Sequence, residues 1–328
     1  MIKVSIAIPI YGVESYIERC AVSLMEQTYS NIEYVFVNDC TKDNSINVLS
    51  ACIRKYPSRI NQIKIINHTV NKGLAGARNT AIENSSGDFI LHVDADDYID
   101  KNLVEELVAK QEETCSDIVA CCCKKVLNNK ILSWPIENYN DITDYNRNVL
   151  ELNIHHNIWG KLIRKSLYSE NNIRNVEGIN NTEDLQILPM LLYYAKSFAT
   201  TNKANYYYDC SNDNSYTNVP KVSSSMQAWK TFDILMDFFE NKGDDYINSI
   251  KIGKVKNLSM QMTRWAKYAN QKDYYNSLVE RLGEIDKLYY QYVSLVYRPV
   301  FILKNQRLVS VYVRIMHRLK ELRLKMSN

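Results

Sequence analysis

The chain has 328 residues with 46% hydrophobic and 23% charged content, an ordinary balance for a folded protein that excludes wholesale disorder. Its 40 Lys and Arg against 37 Asp and Glu leave a formal net charge of +3, too small to point globally to nucleic acid. No apolar run reaches the ~20 residues that span a bilayer, and the eight cysteines show neither metal-type spacing nor an apolar leader ahead of Val4, so a cytoplasmic protein with reduced thiols is expected.

Strand and helix signals alternate through the first hundred residues. Residues 4–9 are an apolar run, and 14–27 carry helical spacing through Ile17, Ala21, Leu24 and Met25. Then come a β-rich run at 32–37, an amphipathic helix at 45–56, a strand at 63–66, a helix at 76–84 and a strand at 89–93. Such alternation predicts an α/β fold: a doubly wound, mostly parallel sheet covered by helices, with its ligands beyond the carboxyl ends of the strands. A helix over 102–110 follows, opened by Asp97 or Asp100 as its cap.

Beyond Asp117 the character changes. Residues 118–126 and 131–134 read as a hairpin across the basic turn 124–130, 157–168 and 183–196 as helices, and 206–208 as a Tyr-rich strand. Cys121, Cys122 and Cys123 resemble a ligand cluster, but neighbours on a strand point to opposite faces, so they read as small buried hydrophobes. The polar segment 213–225, with Pro220, precedes sequence that is helical throughout. A boundary near Asn218 therefore divides a domain of residues 1–217 from a helical region of 218–328.

The strand at 89–93 runs into Asp94, Asp96 and Asp97. Carboxylates this close raise one another's pKa unless a cation sits among them, and an all-oxygen set suits Mg²⁺ or Mn²⁺. An EF-hand loop from Asp94 would place Glu105 at its twelfth position, but Ile99 stands where the sharp turn needs Gly. A helix cap accounts for one acid and not for Asp94 and Asp96, which share a face of an extended chain. Asp-x-Asp at a strand end points to metal-held phosphate.

The other strand ends also carry polar groups suited to a nucleotide: Pro9 and Tyr11, then Asp39, then Asn71, Lys72 and Gly73. Asp39 could accept from a base N–H, Tyr11 could stack on the ring, and Arg78 or Lys72 could offset phosphate charge. Each has a plainer alternative, a turn or cap for Asp39 and a solvated helix residue for Arg78. G-x-G-x-x-G is absent after the first strand, so Gly73 and Gly76 are no Rossmann fingerprint.

In order, the chain carries Pro9-Ile10-Tyr11-Gly12, Val37-Asn38-Asp39-Cys40-Thr41-Lys42-Asp43, Asn71-Lys72-Gly73-Leu74-Ala75-Gly76-Ala77-Arg78-Asn79 and Asp94-Ala95-Asp96-Asp97. Together these resemble the family 2 glycosyltransferases of GT-A fold, whose pattern runs Pro-x-Tyr-Asn, Val-Asp-Asp-Gly-Ser-x-Asp, Asn-x-Gly-x-x-x-Ala-Arg-Asn and Asp-x-Asp-Asp. The likeness continues through Trp159-Gly160-Lys161-Leu162 and Thr182-Glu183-Asp184-Leu185, covering about two thirds of the chain. It implies that Asp39 and Tyr11 contact the nucleobase, typically uracil, and that Pro9, Asn71, Lys72, Gly73, Arg78, Asp94, Ala95 and Asp96 complete the donor site. It also implies that Asp96, helped by Asp94, holds Mn²⁺ or Mg²⁺ on the donor diphosphate, and that Asp184 is the catalytic base. An N-cap with acids in the first turn would account nearly as well for Glu183 and Asp184, and the position on the family pattern favours Asp184 as base. Lys161, on the expected helix, is either structural or near the diphosphate. Gly12, Asn38 and Cys40 replace the family's Asn, Asp and Gly, and no further metal or diphosphate ligand is evident in Asp209-Cys210-Ser211.

Residues 298–325 are basic, with Glu321 their single acid, and Leu308, Val311, Tyr312, Ile315, Met316, Leu319, Leu322 and Met326 recur at helical spacing. Such a helix lies on an anionic membrane, packs its stripe on the protein or forms a homo-oligomer; no reading motif for nucleic acid accompanies the charge. The expectation is an inverting, metal-dependent transferase moving a hexose or N-acetylhexosamine from a UDP-sugar to a glycan or lipid-linked glycan in cell-surface polysaccharide synthesis, cytoplasmic or peripheral on the inner face of a bacterial membrane. Its rivals are a nucleotide-sugar-binding or scaffold protein without turnover, and a nucleotidyltransferase, which would open with a Gly-rich basic loop that residues 10–15 lack. Retention of Asp96 and Asp184 favours the enzyme.

Overall fold

The computed structural model describes residues 1–127, 130–134, 141–212 and 221–326, the side chains of 320–326 excepted. Every residue of β1 (Val4–Ile10) is buried, as are the first six of β2 (Ile32–Asn38), the pattern of strands covered by helices on both faces. Between them α1 (Ile17–Met25) buries Ile17, Cys20, Ala21 and Leu24 at spacings of three and four, so one stripe of the helix faces the sheet. α2 (Ser45–Ile53), β3 (Ile63–Asn67), α3 (Gly73–Glu83) and β4 (Phe89–His92) complete a parallel half ordered β3-β2-β1-β4. The chain winds outward from β1 to β3 and returns to the other side of β1 as β4. That reversal opens a crevice beyond Ile10 and Asp94, where open α/β sheets bind ligands.

The sheet continues through later elements: β5 (Tyr98–Ile99), α4 (Leu103–Thr114), β6 (Ile118–Leu127), β7 (Lys130–Trp134), α5 (Ile142–Leu150), β8 (Lys161–Arg164), α6 (Lys165–Glu170), α7 (Glu183–Tyr194) and β9 (Phe198–Asp209). Its second half runs β4-β8-β6-β9-β5 with β7 on β6; β8 is antiparallel to both neighbours, and β6 and β9 are parallel. The α/β, GT-A type fold expected from the sequence is present, with a mixed rather than parallel second half.

Two local expectations are corrected. Residues 157–168 do not form one helix: Gly160, at φ +68°, turns the chain, and Lys161 begins β8 between β4 and β6. A Cβ on Gly160 would also press on Cys121 Sγ at 3.2 Å. Neither Asp97 nor Asp100 caps α4, whose N-cap Asn102 makes no side-chain cap bond. Asp100 instead accepts from Asn205 N–H (2.9 Å), Asn205 Nδ2 (2.8 Å) and the Tyr207 hydroxyl (3.0 Å), tying β5 to β9. α5 and β5 are additions to the elements expected from the sequence.

The chain forms two compact units, Met1–Asn146 with His156–Pro220, and Arg147–His155 with Lys221–Asn328. The boundary expected near Asn218 falls outside the described residues. The second unit holds α8 (Val222–Phe239), α9 (Asp244–Trp265), α10 (Lys272–Gly283), α11 (Pro299–Leu303) and α12 (Gln306–Met326) around Trp229, Leu258, Met262, Trp265, Tyr275 and Phe301. Among the described residues no helix is long and apolar enough to cross a membrane. The eight cysteines are free thiols, with Cys121 buried and Cys122 and Cys123 half-buried.

Candidate active site

At the ends of β1, β2 and β3 the chain builds a ledge around Asp39. One carboxylate oxygen accepts from His68 Nδ1 (2.7 Å) and the Lys72 N–H (2.8 Å), the other from the Gly73 N–H (2.8 Å), and the Asp39 carbonyl accepts from Asn71 Nδ2 (3.0 Å). Asp39 is buried and thus fixes the loop that opens α3, with one of about four lone-pair sites left for a ligand. Gly73 sits at φ +76°, and a Cβ there would collide with the Asn180 side chain, so only glycine fits. Asn71 and Lys72 are exposed beside it, and Tyr11 is 50% exposed just past β1. Pro9 is buried inside β1 and paired with Val37.

The substitutions in the family pattern have local reasons. Gly12 lies at φ +68°, a conformation Asn also tolerates. Asn38 accepts from the Thr41 N–H (2.9 Å) and donates to Asn67 (2.9 Å), closing the β2 end against β3. Cys40 occupies a left-handed φ of 59°, where glycine would be unstrained.

Arg78, 1% exposed, is the centre of the second cluster. Its guanidinium donates to Asp94 Oδ1 (2.9 Å), Glu183 Oε1 (3.0 Å) and Asp184 Oδ1. Burial works against its charge, but Asp184, Asp94 and Glu183 outweigh that and push its pKa up. Arg78 is thus a buried clasp joining the Asp-x-Asp turn to the start of α7. Glu183 and Asp184 open α7, whose N-cap Thr182 makes no side-chain cap bond. Asp184 Oδ2 accepts from the Ile158 N–H (3.1 Å), and the buried Lys161 Nζ holds the Asn157 carbonyl (2.6 Å) just before it; burial pulls the Lys161 pKa down to about 8.

Asp94 and Asp96 reach the crevice half-buried, whereas Ala95 and Asp97 point into the core. Asp97 accepts from the Tyr206 hydroxyl (2.6 Å) and the Asp209 N–H (2.8 Å); the Tyr206 hydroxyl in turn accepts from the Asp94 N–H (3.1 Å). Arg19 donates to the Asp96 carbonyl (3.0 Å) and pairs with Asp209, and Asn212 Nδ2 donates to Asp96 Oδ2 (2.9 Å). Burial, then the Asp94 charge, raises the Asp96 pKa to about 6, and burial likewise raises Asp94 against the pull of Arg78. Among the described residues no three His, Cys, Asp or Glu side chains form a closed metal cage. Two partly exposed carboxylates, the charge of Asp94 raising the pKa of Asp96, nonetheless fit a Mg²⁺ or Mn²⁺ whose remaining positions would be filled by substrate phosphate and water.

Arg19, His68, Asn180 and Asn212 were not singled out from the sequence. They stand up to 190 residues from the partners they hold, and no local pattern marks them.

The pattern of glycosyl transferase family 2 matches residues 5–171. The chain is 30% identical over 253 residues to the glycosyltransferase EpsJ of Bacillus subtilis (strain 168), covering 73% of this chain and 70% of EpsJ. It is 28% identical over 324 residues to a poly(ribitol-phosphate) β-glucosyltransferase of Bacillus spizizenii, covering 92% of this chain but about half, 49%, of that enzyme. The crystal structure of S. aureus TarS residues 1–349 with UDP-GlcNAc superposes with a TM-score of 0.73 over 97% of this chain and 92% of that one, at 18% identity, and so shares the fold. The family match and the likeness to EpsJ place this chain in glycosyl transferase family 2.

Proposed function

We propose that the first unit moves a hexose or N-acetylhexosamine from a UDP-sugar to a hydroxyl of a cell-surface polymer or lipid-linked glycan, inverting the anomeric centre. The observation that carries this is the Arg78 clasp. It sets Asp94, on the side where a diphosphate would lie, and Asp184, on the side of an incoming hydroxyl, within one guanidinium of each other. The UDP-GlcNAc bound by TarS and the glucosyl or N-acetylglucosaminyl transfer named for the ribitol-phosphate enzymes support a UDP donor and a polyol-phosphate or glycan acceptor.

Tyr11 stacks on the base, the Asp39 ledge orients it, and Asn71 and Lys72 lie toward the diphosphate. Asp96 and Asp94 would hold Mn²⁺ or Mg²⁺, a Lewis acid that would stabilise negative charge gathering on the leaving diphosphate. Asp184 takes the proton of the acceptor hydroxyl as its oxygen attacks the anomeric carbon. The bond from that carbon to the diphosphate breaks, and its electron pair leaves with UDP. Arg78 and the Ile158 N–H hold both Asp184 oxygens in place, so the carboxylate needs little reorganisation on reaction.

Replacing Asp184→Asn is expected to keep UDP binding, measured calorimetrically, while lowering sugar transfer by roughly two to four orders of magnitude. Transfer at the wild-type rate with UDP binding intact would assign the base elsewhere, with Glu183 the first candidate.

A further inference from the structure

The second unit presents an unpartnered face that the transfer chemistry does not use. In α12, Val309 and Val313 are buried in the unit's own core, so the helix is already anchored. Leu308, Val311, Ile315 and Leu319, each 50–55% exposed, recur at intervals of three and four and so share an arc of about 80° on the far side of the helix. Arg307, Arg314 and Arg318 run along one flank of that stripe, and all three are exposed. The same unit exposes Leu295 (74%) and Ile302 (81%), either side of Arg298 and ahead of Lys304. From Lys287 to Lys320 the sequence has no acid at all.

An apolar stripe half open to water with a basic rail beside it is the amphipathic pattern of a helix lying in a lipid interface, apolar side chains among the acyl chains and arginines at the headgroups. We infer that α12, with the residues just before it, docks the protein on an anionic bilayer surface. Charge selects this occupant over a second copy of the chain. A two-fold contact through the stripe would set one basic rail against another with Glu321 the single acid in the segment to pair it, whereas anionic headgroups neutralise it. The inference rests on the second unit alone and stands or falls separately from the reaction proposed for the first.

The test is co-sedimentation of the full chain with vesicles of phosphatidylcholine alone or mixed with phosphatidylglycerol. Wild type is expected to sediment with the anionic vesicles only, and to be released as ionic strength rises. Arg307→Glu/Arg314→Glu/Arg318→Glu should weaken partitioning by at least about 100-fold, at roughly fivefold per basic residue lost. Leu308→Ser/Ile315→Ser/Leu319→Ser should also abolish it while leaving UDP binding unchanged. The inference is overturned if wild type ignores anionic vesicles at low salt, or if both variants sediment as wild type does. It is equally overturned if light scattering shows a dimer that the serine variant dissociates while no vesicle binding occurs. Should a variant fail to fold, the wild-type comparison of the two vesicle types still decides.

Discussion

Arg78 meets three carboxylates with one buried guanidinium, an arrangement that a lysine, with a single compact charge, could not reproduce. Glu183 shows what the clasp restrains: its Oε2 is buried without a hydrogen-bond partner, and burial raises its pKa against the pull of Arg78. Arg78→Met is therefore expected to destabilise the protein by about 3–5 kcal/mol, because it leaves buried acids without a counter-charge. Adding Glu183→Gln should return part of that loss. Urea midpoints that are identical for the single and double variants would show that Glu183 carries no charge against Arg78. None of this could be read from residue 78 itself, since its partners lie up to 106 positions away. The sequence marks Asp94, Asp96 and Asp184 by type and place, but not the residue that joins them.

Among the elements, those with a continuous apolar run or a clear helical stripe were readable from sequence, and those shaped by distant partners were not. β1, β2, β4 and α1 announce themselves because the parallel sheet buries whole runs on both faces. β8 reads as helix in the sequence because its four residues gain their state from β4 and β6, and β5, at two residues, is held by Asp100 and β9. Glu33 is a further case: a lone acid inside β2, it accepts from Ser5 (2.7 Å), from the Ser86 N–H (2.7 Å) and hydroxyl (2.8 Å), and pairs with Lys64 at 2.6 Å. These groups bind β1, β2, β3 and the turn before β4 into one knot. Burial alone would raise the Glu33 pKa; the Lys64, Ser86 and Ser5 bonds outweigh it and hold the carboxyl at about 2, against an ordinary 4.5. A folded-state value depressed in this way stabilises the fold above pH 4.5 and loses that contribution as pH falls toward 2. Glu33→Gln should cost on the order of 2 kcal/mol at pH 7, with screening at the half-exposed Lys64 allowed for. The gap between variant and wild type should close between pH 4.5 and 2, and a gap independent of pH in denaturant titrations would assign the cost to packing instead.

Over the whole molecule, charge is divided along the chain. Nine of the 40 Lys and Arg but one of the 37 acids lie from Lys287 onward, so that stretch carries +8 and the rest −5. The acidic excess includes the crevice carboxylates, which would repel a UDP-sugar unless a cation mediates, so metal and nucleotide should bind as a linked pair. UDP with Mn²⁺ at about a hundredfold over its dissociation constant should stabilise the folded protein by roughly 2.7 kcal/mol. For a unit of roughly 200 residues that corresponds to about 5–10 °C in melting temperature. Either ligand alone should give a small part of the shift, and Asp96→Asn should remove most of it. Because the Asp96 pKa is raised to about 6, protons compete with the metal below that value. The joint shift should therefore be full near pH 7.5 and fade as pH falls through 6. A shift of the same size with UDP and chelator, or one unchanged at pH 5, would show that the diphosphate is held by protein groups alone and would remove Asp94 and Asp96 from the metal.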